Sequence, residues 1–500
     1  MDFACEGRIC TDARKRAGVK AVKTNRIKQT LYESIAERML HTIENGTFEP
    51  GDRIPSIRSL SRQMKVSINT VKEAYNLLED RRIIDVRPQS GFFVASKGPE
   101  EPSDPEIEDL EISPSSVNTF ELIRMVVSDC TTETDLVSLC ALHPSSEILP
   151  IKKLNQVLTR SIKESPEKSI AYTDFRGYPA LRQEIARRLI HSGCAVSPDE
   201  VIVTTGCVEA VFLSLMAICN RGDTVAVESP LFFTYLQLFK QLDLNVIEIP
   251  MLPQRGMSIE ALEYALKHNE IRVCVSNPTF NNPIGSLMPV ENKARLIELL
   301  NQHDVPLIED DVFGDLSFED QRPLTVKHFD TQERVILCSS FSKTIAPGFR
   351  VGWVVAGRYK DKIERLKMLT SITSPSPTQL ALADFLASGG YDRCLRRMCR
   401  FYNSNLTRMR RAIGDSFPDG TKVTDPRGGY SLWLELPETV DSITLFEESL
   451  KKKIHIAPGP IFSAVGRYKN CIRLNGGRWS AEIKDAVETI GFLAKKLAYS

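Results

Sequence analysis

Lys343 stands in the run SSFSKTIAPGFR, where Ser340, Ser342 and Arg350 place two hydroxyls and a guanidinium beside a lysine amine. That set suits a phosphate held next to an amine nucleophile. Asp310, in IEDDVF, directly follows an apolar run, and Asn282, in NPTFNNPIG, is a polar donor with a proline behind it. Thr205-Gly206-Cys207 leads into a helical pattern whose free N–H groups, at Gly206, Cys207 and Val208, can also hold a phosphate. Each residue alone has an ordinary reading: Lys343 a surface lysine, Asp310 a helix cap, Arg350 an ion-pair partner. Their joint order along the chain argues for chemistry.

The elements that must position them are strand-like runs ending in polar loops: 201–204, 224–228, 271–276, 305–308 and 335–338, with helical patterns between most of them. Such alternation predicts βαβ crossovers, an α/β fold and a mostly parallel sheet, whose ligands sit at the carboxyl ends of the strands. Phosphate donors, an amine, a carboxylate for a ring nitrogen and a donor for a ring oxygen fit pyridoxal 5'-phosphate better than a nucleotide. Lys343 would bond to its aldehyde, and Asp310 would keep the ring nitrogen protonated.

A different block precedes this one. Leu31, Ile35, Met39 and Ile43 follow helical spacing up to Asn45-Gly46; Ser56 caps a second short helix, and Ser67 a third carrying Val71, Ala74, Leu77 and Leu78 inward. The two-residue turn Lys65-Val66 forces a sharp angle, and the runs 83–87 and 92–94 flank Pro88-Gln89-Ser90-Gly91 as a hairpin. Three helices and a hairpin predict a winged helix. Asn69, Thr70, Lys72 and Glu73 would face a major groove, with Arg53 and Arg58 on phosphates or base edges.

Composition agrees once it is divided. The 500 residues are formally neutral, yet residues 1–97 hold 18 Lys and Arg against 12 Asp and Glu, so a basic front is offset by an acidic remainder. Much of that offset lies in GPEEPSDPEIEDLE, residues 98–111, with seven acids, three prolines and no base. This is a linker composition, and about 20 residues of it would reach ~25 Å as a flexible chain. No apolar run is long enough for a transmembrane helix, and the basic start lacks a secretory pattern. The 12 cysteines are scattered through apolar segments and read as buried thiols of a cytoplasmic protein; Cys5 and Cys10 lack the partners a zinc site needs, so no metal is expected.

The front block resembles the GntR family of winged-helix regulators through LYESIAERM, PSIRSLSRQMKVSINTVKEAYNLLE and QSGFFV. The remainder resembles fold type I aminotransferases, and the union resembles the MocR class of bacterial regulators. This resemblance implies double-stranded DNA as partner, bound through Arg53, Arg58, Ser67, Asn69, Thr70, Lys72 and Gly91. It implies Lys343 as the cofactor lysine, Asp310 at the ring nitrogen, Asn282 at the ring hydroxyl and Phe232, in ESPLFF, stacked on the ring. Gly206, Cys207, Ser340, Ser342 and Arg350 would hold the phosphate. Tyr172, in AYTDFRGYPALR, matches the tyrosine lent to a neighbouring subunit's phosphate, which implies a homodimer with shared sites. Arg473, in CIRLNGG, matches the arginine that grips the substrate carboxylate.

Two departures stand out: Ile68 where the GntR family usually has arginine, and Val312-Phe313 where aminotransferases have a tyrosine that donates to the ring oxygen. The expected organisation is an N-terminal extension at 1–28, a winged helix at 29–97, a linker at 98–118 and an aminotransferase-like domain at 119–500. A smaller α+β part is expected from about 376. The leading functional expectation is a regulator that senses an amino acid or amine; the alternative is a working aminotransferase with a tethered DNA-binding head.

Overall fold

The computed structural model describes residues 31–49, 51–80, 83–87, 91–95, 103–105, 112–132 and 136–499. The expectations for residues 1–28, for Cys5 and Cys10, and for Pro88-Gln89-Ser90 at the hairpin tip lie outside them. The chain divides into two compact units, Met1–Gly98 and Pro99–Ser500.

In the first unit, α1 (Leu31–Glu44), α2 (Ile57–Met64) and α3 (Ile68–Asp80) precede β1 (Ile84–Arg87) and β2 (Gly91–Val94). Ser56 Oγ accepts from Ser59 N at 3.2 Å and Ser67 Oγ from Thr70 N at 3.0 Å, so both expected caps satisfy first-turn N–H groups. Lys65 takes the left-handed conformation (φ 54°) that ends α2 and turns the chain into α3. Ile35, Ala36, Leu60, Val71, Ala74 and Leu78 are buried together, while Leu77 is only partly buried. The core also takes in Tyr75. Its ring meets Phe92 of β2 edge-on at 4.8 Å, and its hydroxyl donates to Pro55 O at 2.6 Å. Tyr75→Phe leaves that carbonyl without its donor; the head should lose about 1 kcal/mol, read as a lower denaturant midpoint of its unfolding transition.

The second unit contains β3 (Val137–Ser138), β4 (Val201–Thr204), β5 (Thr224–Ser229), β6 (Asn245–Leu252), β7 (Gly256–Met257), β8 (Ile271–Ser276), β9 (Leu307–Asp310), β10 (Val335–Ser340) and β11 (Gly352–Val355). After these come β12 (Lys422–Val423), β13 (Ser431–Glu435), β14 (Ile454–His455), β15 (Ala457–Pro458) and β16 (Cys471–Asn475). Eight of them form one sheet in the order β4-β11-β10-β9-β8-β5-β6-β7. Its centre, from β10 to β6, is parallel, whereas β11 runs antiparallel to both its neighbours and β7 antiparallel to β6. The parallel strands are buried runs covered by helices, as crossover topology requires.

The strand expected at 305–308 lies two residues later. Val305 N closes the preceding helix on Leu300 O, and Pro306 has no N–H to offer a ladder. Asp310 is therefore the last residue of β9, opposite Cys338 in register, rather than a loop residue past the strand. Ser340 likewise ends β10. β6, β7 and β11 fall outside the five expected runs.

The smaller lobe is an antiparallel sheet, β12-β13-β16-β15, with β14 and β3 pairing in parallel beside it. It draws on the N-terminal side of the unit as well as on the region after 376: Asn118 N donates to Ala464 O at 2.8 Å and Thr119 Oγ1 to Ser463 O at 2.9 Å. The helix Ser376–Ala387 packs instead on the helices Ile151–Glu164 and Pro179–Leu189. Parts of the expected linker also rest on this unit, where Ser115 and Val246 exchange two backbone hydrogen bonds of 2.9 Å.

No helix among the described residues is long and apolar enough to cross a membrane, and no group of His, Cys, Asp and Glu among them is arranged to hold a metal. Nine described cysteines, most of them buried, form no disulfide among the described residues.

Candidate active site

A single cavity at the carboxyl edge of the parallel strands is lined by Cys207, Phe232, Asn282, Asp310, Ser340, Ser342, Lys343 and Arg350. Eight residues drawn from separate parts of the sequence are thus brought together. Gly206 adjoins them: a Cβ there would lie 2.5 Å from Arg350 Nη2, and its φ of +96° suits glycine. Arg350 donates to Thr205 O at 3.0 Å and to Ser342 Oγ at 3.3 Å, and Ser340 Oγ accepts from Ser342 N at 3.3 Å. The N-terminus of the helix Cys207–Ile218 opens on the same cavity. Free N–H groups, two hydroxyls and a guanidinium make a cradle for a phosphate.

The amine of Lys343 is enclosed, donating to Leu142 O at 2.7 Å. Burial, and then the positive charge of Arg473, bring its pKa down to about 8. A lysine so placed carries an uncharged fraction useful for nucleophilic attack. Asp310 accepts from Tyr235 Oη at 2.6 Å, from Val312 N at 3.0 Å and from Cys207 Sγ at 3.4 Å. Burial pushes its carboxyl above the usual range against these donors, and pushes the Cys207 thiol far upward. A buried carboxylate facing a cavity is best matched by a cation there, as a protonated ring nitrogen would be.

Arg473, 1% exposed, donates to Asn282 Oδ1 at 3.0 Å and lies over the Phe462 ring at 5.1 Å. Phe313 meets Tyr430 edge-on at 5.5 Å and brings no hydroxyl to the cavity. Tyr172 is not among the cavity-lining residues of its own chain; it is 83% exposed.

Three functional side chains escaped the sequence reading. Tyr235 is the principal donor to Asp310. Glu228, whose burial raises its pKa to about 7, accepts from Ser276 Oγ at 2.8 Å, from Asn277 N at 2.9 Å and from Asn281 Nδ2. Asn277 joins the site from behind: its Nδ2 donates to Asp310 O at 2.5 Å and its Oδ1 accepts from Asn282 N at 3.1 Å. The signal available was the first asparagine of NPTFNNPIG, one residue past a buried strand.

On the first unit, Arg53, Arg58, Ser67, Asn69, Lys72 and Glu73 are exposed and Thr70 is half-buried. Ile68 is 53% exposed beside them. The Arg53 guanidinium lies against Gly91, 3.3 Å from where a Cβ would stand, and residues 51–54 pair with β2, so that arginine and the wing share one edge.

Residues 31–94 match the family of bacterial regulatory proteins, gntR family, and residues 134–490 match aminotransferase class I and II. The chain belongs to the class I and II aminotransferase family and carries a GntR winged-helix domain. This aminotransferase-family chain is 38% identical to YjiR of Escherichia coli (strain K12), named an uncharacterized HTH-type transcriptional regulator, over 92% of this chain and 98% of that one. A second E. coli K12 protein named in the same way, YdcR, is 36% identical over 93% and 99%. Among solved structures, a multiple substrate aminotransferase from Thermococcus profundus aligns with a TM-score of 0.70 and 27% identity, covering 77% of this chain and 96% of its own. The α-aminoadipate aminotransferase LysN of Thermus thermophilus, complexed with N-(5'-phosphopyridoxyl)-L-leucine, gives the same TM-score and identity over 75% and 95%.

Proposed function

We propose that this aminotransferase-family chain is a DNA-binding transcription regulator that holds pyridoxal 5'-phosphate and senses an amino acid or amine through it. The observation that carries the reading is the enclosed Lys343 amine, facing a cavity that also holds Asp310, Asn282 and Arg350, in a chain with a winged-helix head. The regulator names of relatives matching over nearly the whole length support it, as does the phosphopyridoxyl amino acid bound in the LysN structure.

When bound, the cofactor supplies an aldehyde that captures amines and a ring that withdraws electrons. The chain's residues divide the remaining tasks. Arg350, Ser342 and Ser340, with the N–H groups of Gly206 and Cys207, hold the phosphate. Phe232 would cover the ring, Asn282 would donate to its oxygen and Asp310 would keep a proton on its nitrogen. Lys343 would hold the cofactor through its amine and would supply a base for the ligand's α-proton. Arg473 takes the ligand carboxylate, which selects amino acids over simple amines. With Phe313 where a tyrosine would donate, turnover is expected to be slow, as suits a sensor.

A homodimer completes the site. Tyr172 and Ile170 are almost fully exposed, and Ser376 Oγ donates to Ala171 O at 2.7 Å, fixing this segment on the surface. A second copy that covers it would receive Tyr172 at its phosphate.

On the head, Arg58 and Lys72 act as phosphate or base-edge contacts. Binding to the DNA upstream of its own coding region, followed by fluorescence anisotropy across a salt series, tests the reading. Arg58→Ala and Lys72→Ala should each weaken binding and lower the slope of log affinity against log salt by about 1. No retention of any upstream fragment at low salt would sink the regulator reading.

A further inference from the structure

We propose that Ser103–Pro105 is a clip that fastens the tether of the head across both lobes of the aminotransferase unit, in a groove mechanically linked to Arg473. The inference rests on the regulator reading and adds a route by which ligand reaches the head. Val423 N, on the edge strand β12 of the small lobe, donates to Ser103 O at 2.9 Å. Gln254 Nε2, in the turn between β6 and β7 of the large sheet, donates to Asp104 Oδ2 at 2.7 Å. Pro105 is buried in a groove lined by Ser229, Pro230 and Met251 from the large lobe and by Trp433 and Cys471 from the small one. Three consecutive residues of an acidic, proline-rich segment thus touch both lobes.

One residue of the groove, Trp433, connects it to Arg473. Trp433 is the direct cross-strand partner of Arg473 in the β13/β16 ladder. The Trp433 ring meets Phe462 edge-on at 5.5 Å, and the Arg473 guanidinium lies over that same ring. Cross-strand neighbours on one face pack against each other. A carboxylate that draws Arg473 away from Asn282 therefore acts through Phe462 and Trp433 on the seat of Pro105, and releases the clip.

Release changes the tether. With the clip seated, the seven residues 96–102 separate Ala95 from Ser103; with it free, the sixteen residues 96–111 separate Ala95 from Ile112. At about 3.5 Å per extended residue the maximal reach grows from ~25 to ~56 Å. A half-site spacing of one helical turn, ~34 Å, lies between the two reaches.

The test is timed digestion of the full-length, cofactor-loaded protein with a Glu-specific protease, scoring cuts at Glu100, Glu106, Glu108 and Glu111 by mass. In the double variant Asp104→Lys/Pro105→Asp, the lost Gln254 bond and a new carboxylate beside Glu435 and Glu438 of the same groove should speed these cuts about tenfold. Gln254→Ala, on an exposed turn, should give a smaller increase in the same direction. Arg473→Gln should accelerate them about threefold, because its ladder partner Trp433 loosens. Unchanged far-ultraviolet dichroism shows that the variants fold. Wild type cut as fast as the double variant overturns the clip, and Arg473→Gln cut at the wild-type rate overturns its link to the ligand site. Cleavage is read without DNA, so a failure of DNA binding, which sinks the regulator reading, is a separate result.

Discussion

Lys343→Ala should abolish the visible absorbance of the cofactor-loaded protein, and borohydride treatment should then leave no phosphopyridoxyl group on the peptide containing position 343. The effect is all-or-none, because among the described residues no other lysine lines the cavity. The wild type should also show a characteristic pH profile. With its pKa near 8, about one-tenth of Lys343 is uncharged at pH 7, against roughly one part in three thousand for a lysine at its ordinary value. The reacting form is the neutral amine, so the rate of cofactor capture should climb about tenfold from pH 6 to pH 7 and level off above pH 8. Arg473 is the second cause of the depression after burial, so Arg473→Gln should carry the plateau to higher pH. A visible band that survives Lys343→Ala, or a flat profile from pH 6 to 9, would contradict the assignment.

Much of the site was legible because strand ends are legible. Asp310, Asn282 and the Ser340–Arg350 stretch each come at or after the end of a short buried run, and in a parallel sheet such runs deliver the residues at their carboxyl ends to one edge. The caps Ser56 and Ser67 were equally plain, since a cap hydroxyl acts within three residues of itself. The features that stayed hidden depend on contacts far apart in sequence. Tyr235 lies within a helical run, FTYLQLFKQ, whose pattern reads as core, and only the fold sets its hydroxyl 2.6 Å from a carboxylate 75 positions away. β6 escaped notice because NVIEIPML includes a glutamate and a proline; Glu248 is accommodated there by Ser463 and Ala464 of the small lobe.

The linker shows the same limit in another form. Seven acids and three prolines in fourteen residues predict a chain that buries nothing. Pro105 nevertheless finds a groove built by two lobes, and Ser103 the edge of a strand, neither of which composition can reveal. The flexible-chain reach of ~25 Å, which holds for 20 free residues, therefore does not describe the seated tether.

Asp310→Asn should slow amine transfer from an amino acid to the cofactor, followed in single-turnover spectra, by on the order of 10³-fold. The reason lies in the surroundings of the carboxylate. Tyr235, Val312 and Cys207 donate to it, yet burial still pushes its proton affinity up, because those partners are neutral. A protonated ring nitrogen would set a cation beside it, and breaking such a buried pair typically costs about 3–5 kcal/mol. Asparagine keeps the shape: its one oxygen can accept from Val312 N, and its amide N–H2 can donate to the Tyr235 hydroxyl, which rotates to accept, so the loss reports charge more than packing. Tyr235→Phe separates the two contributions: it removes one donor to the carboxylate and leaves the charge, so the rate should fall only about tenfold. Asn277, its own backbone held by Glu228, holds the backbone of Asp310 and Asn282 from behind, which keeps the carboxylate in place in both variants. If Asp310→Asn reacts as fast as wild type, the ring nitrogen is not protonated by this residue, and the chemistry assigned to the cavity fails at its central charge.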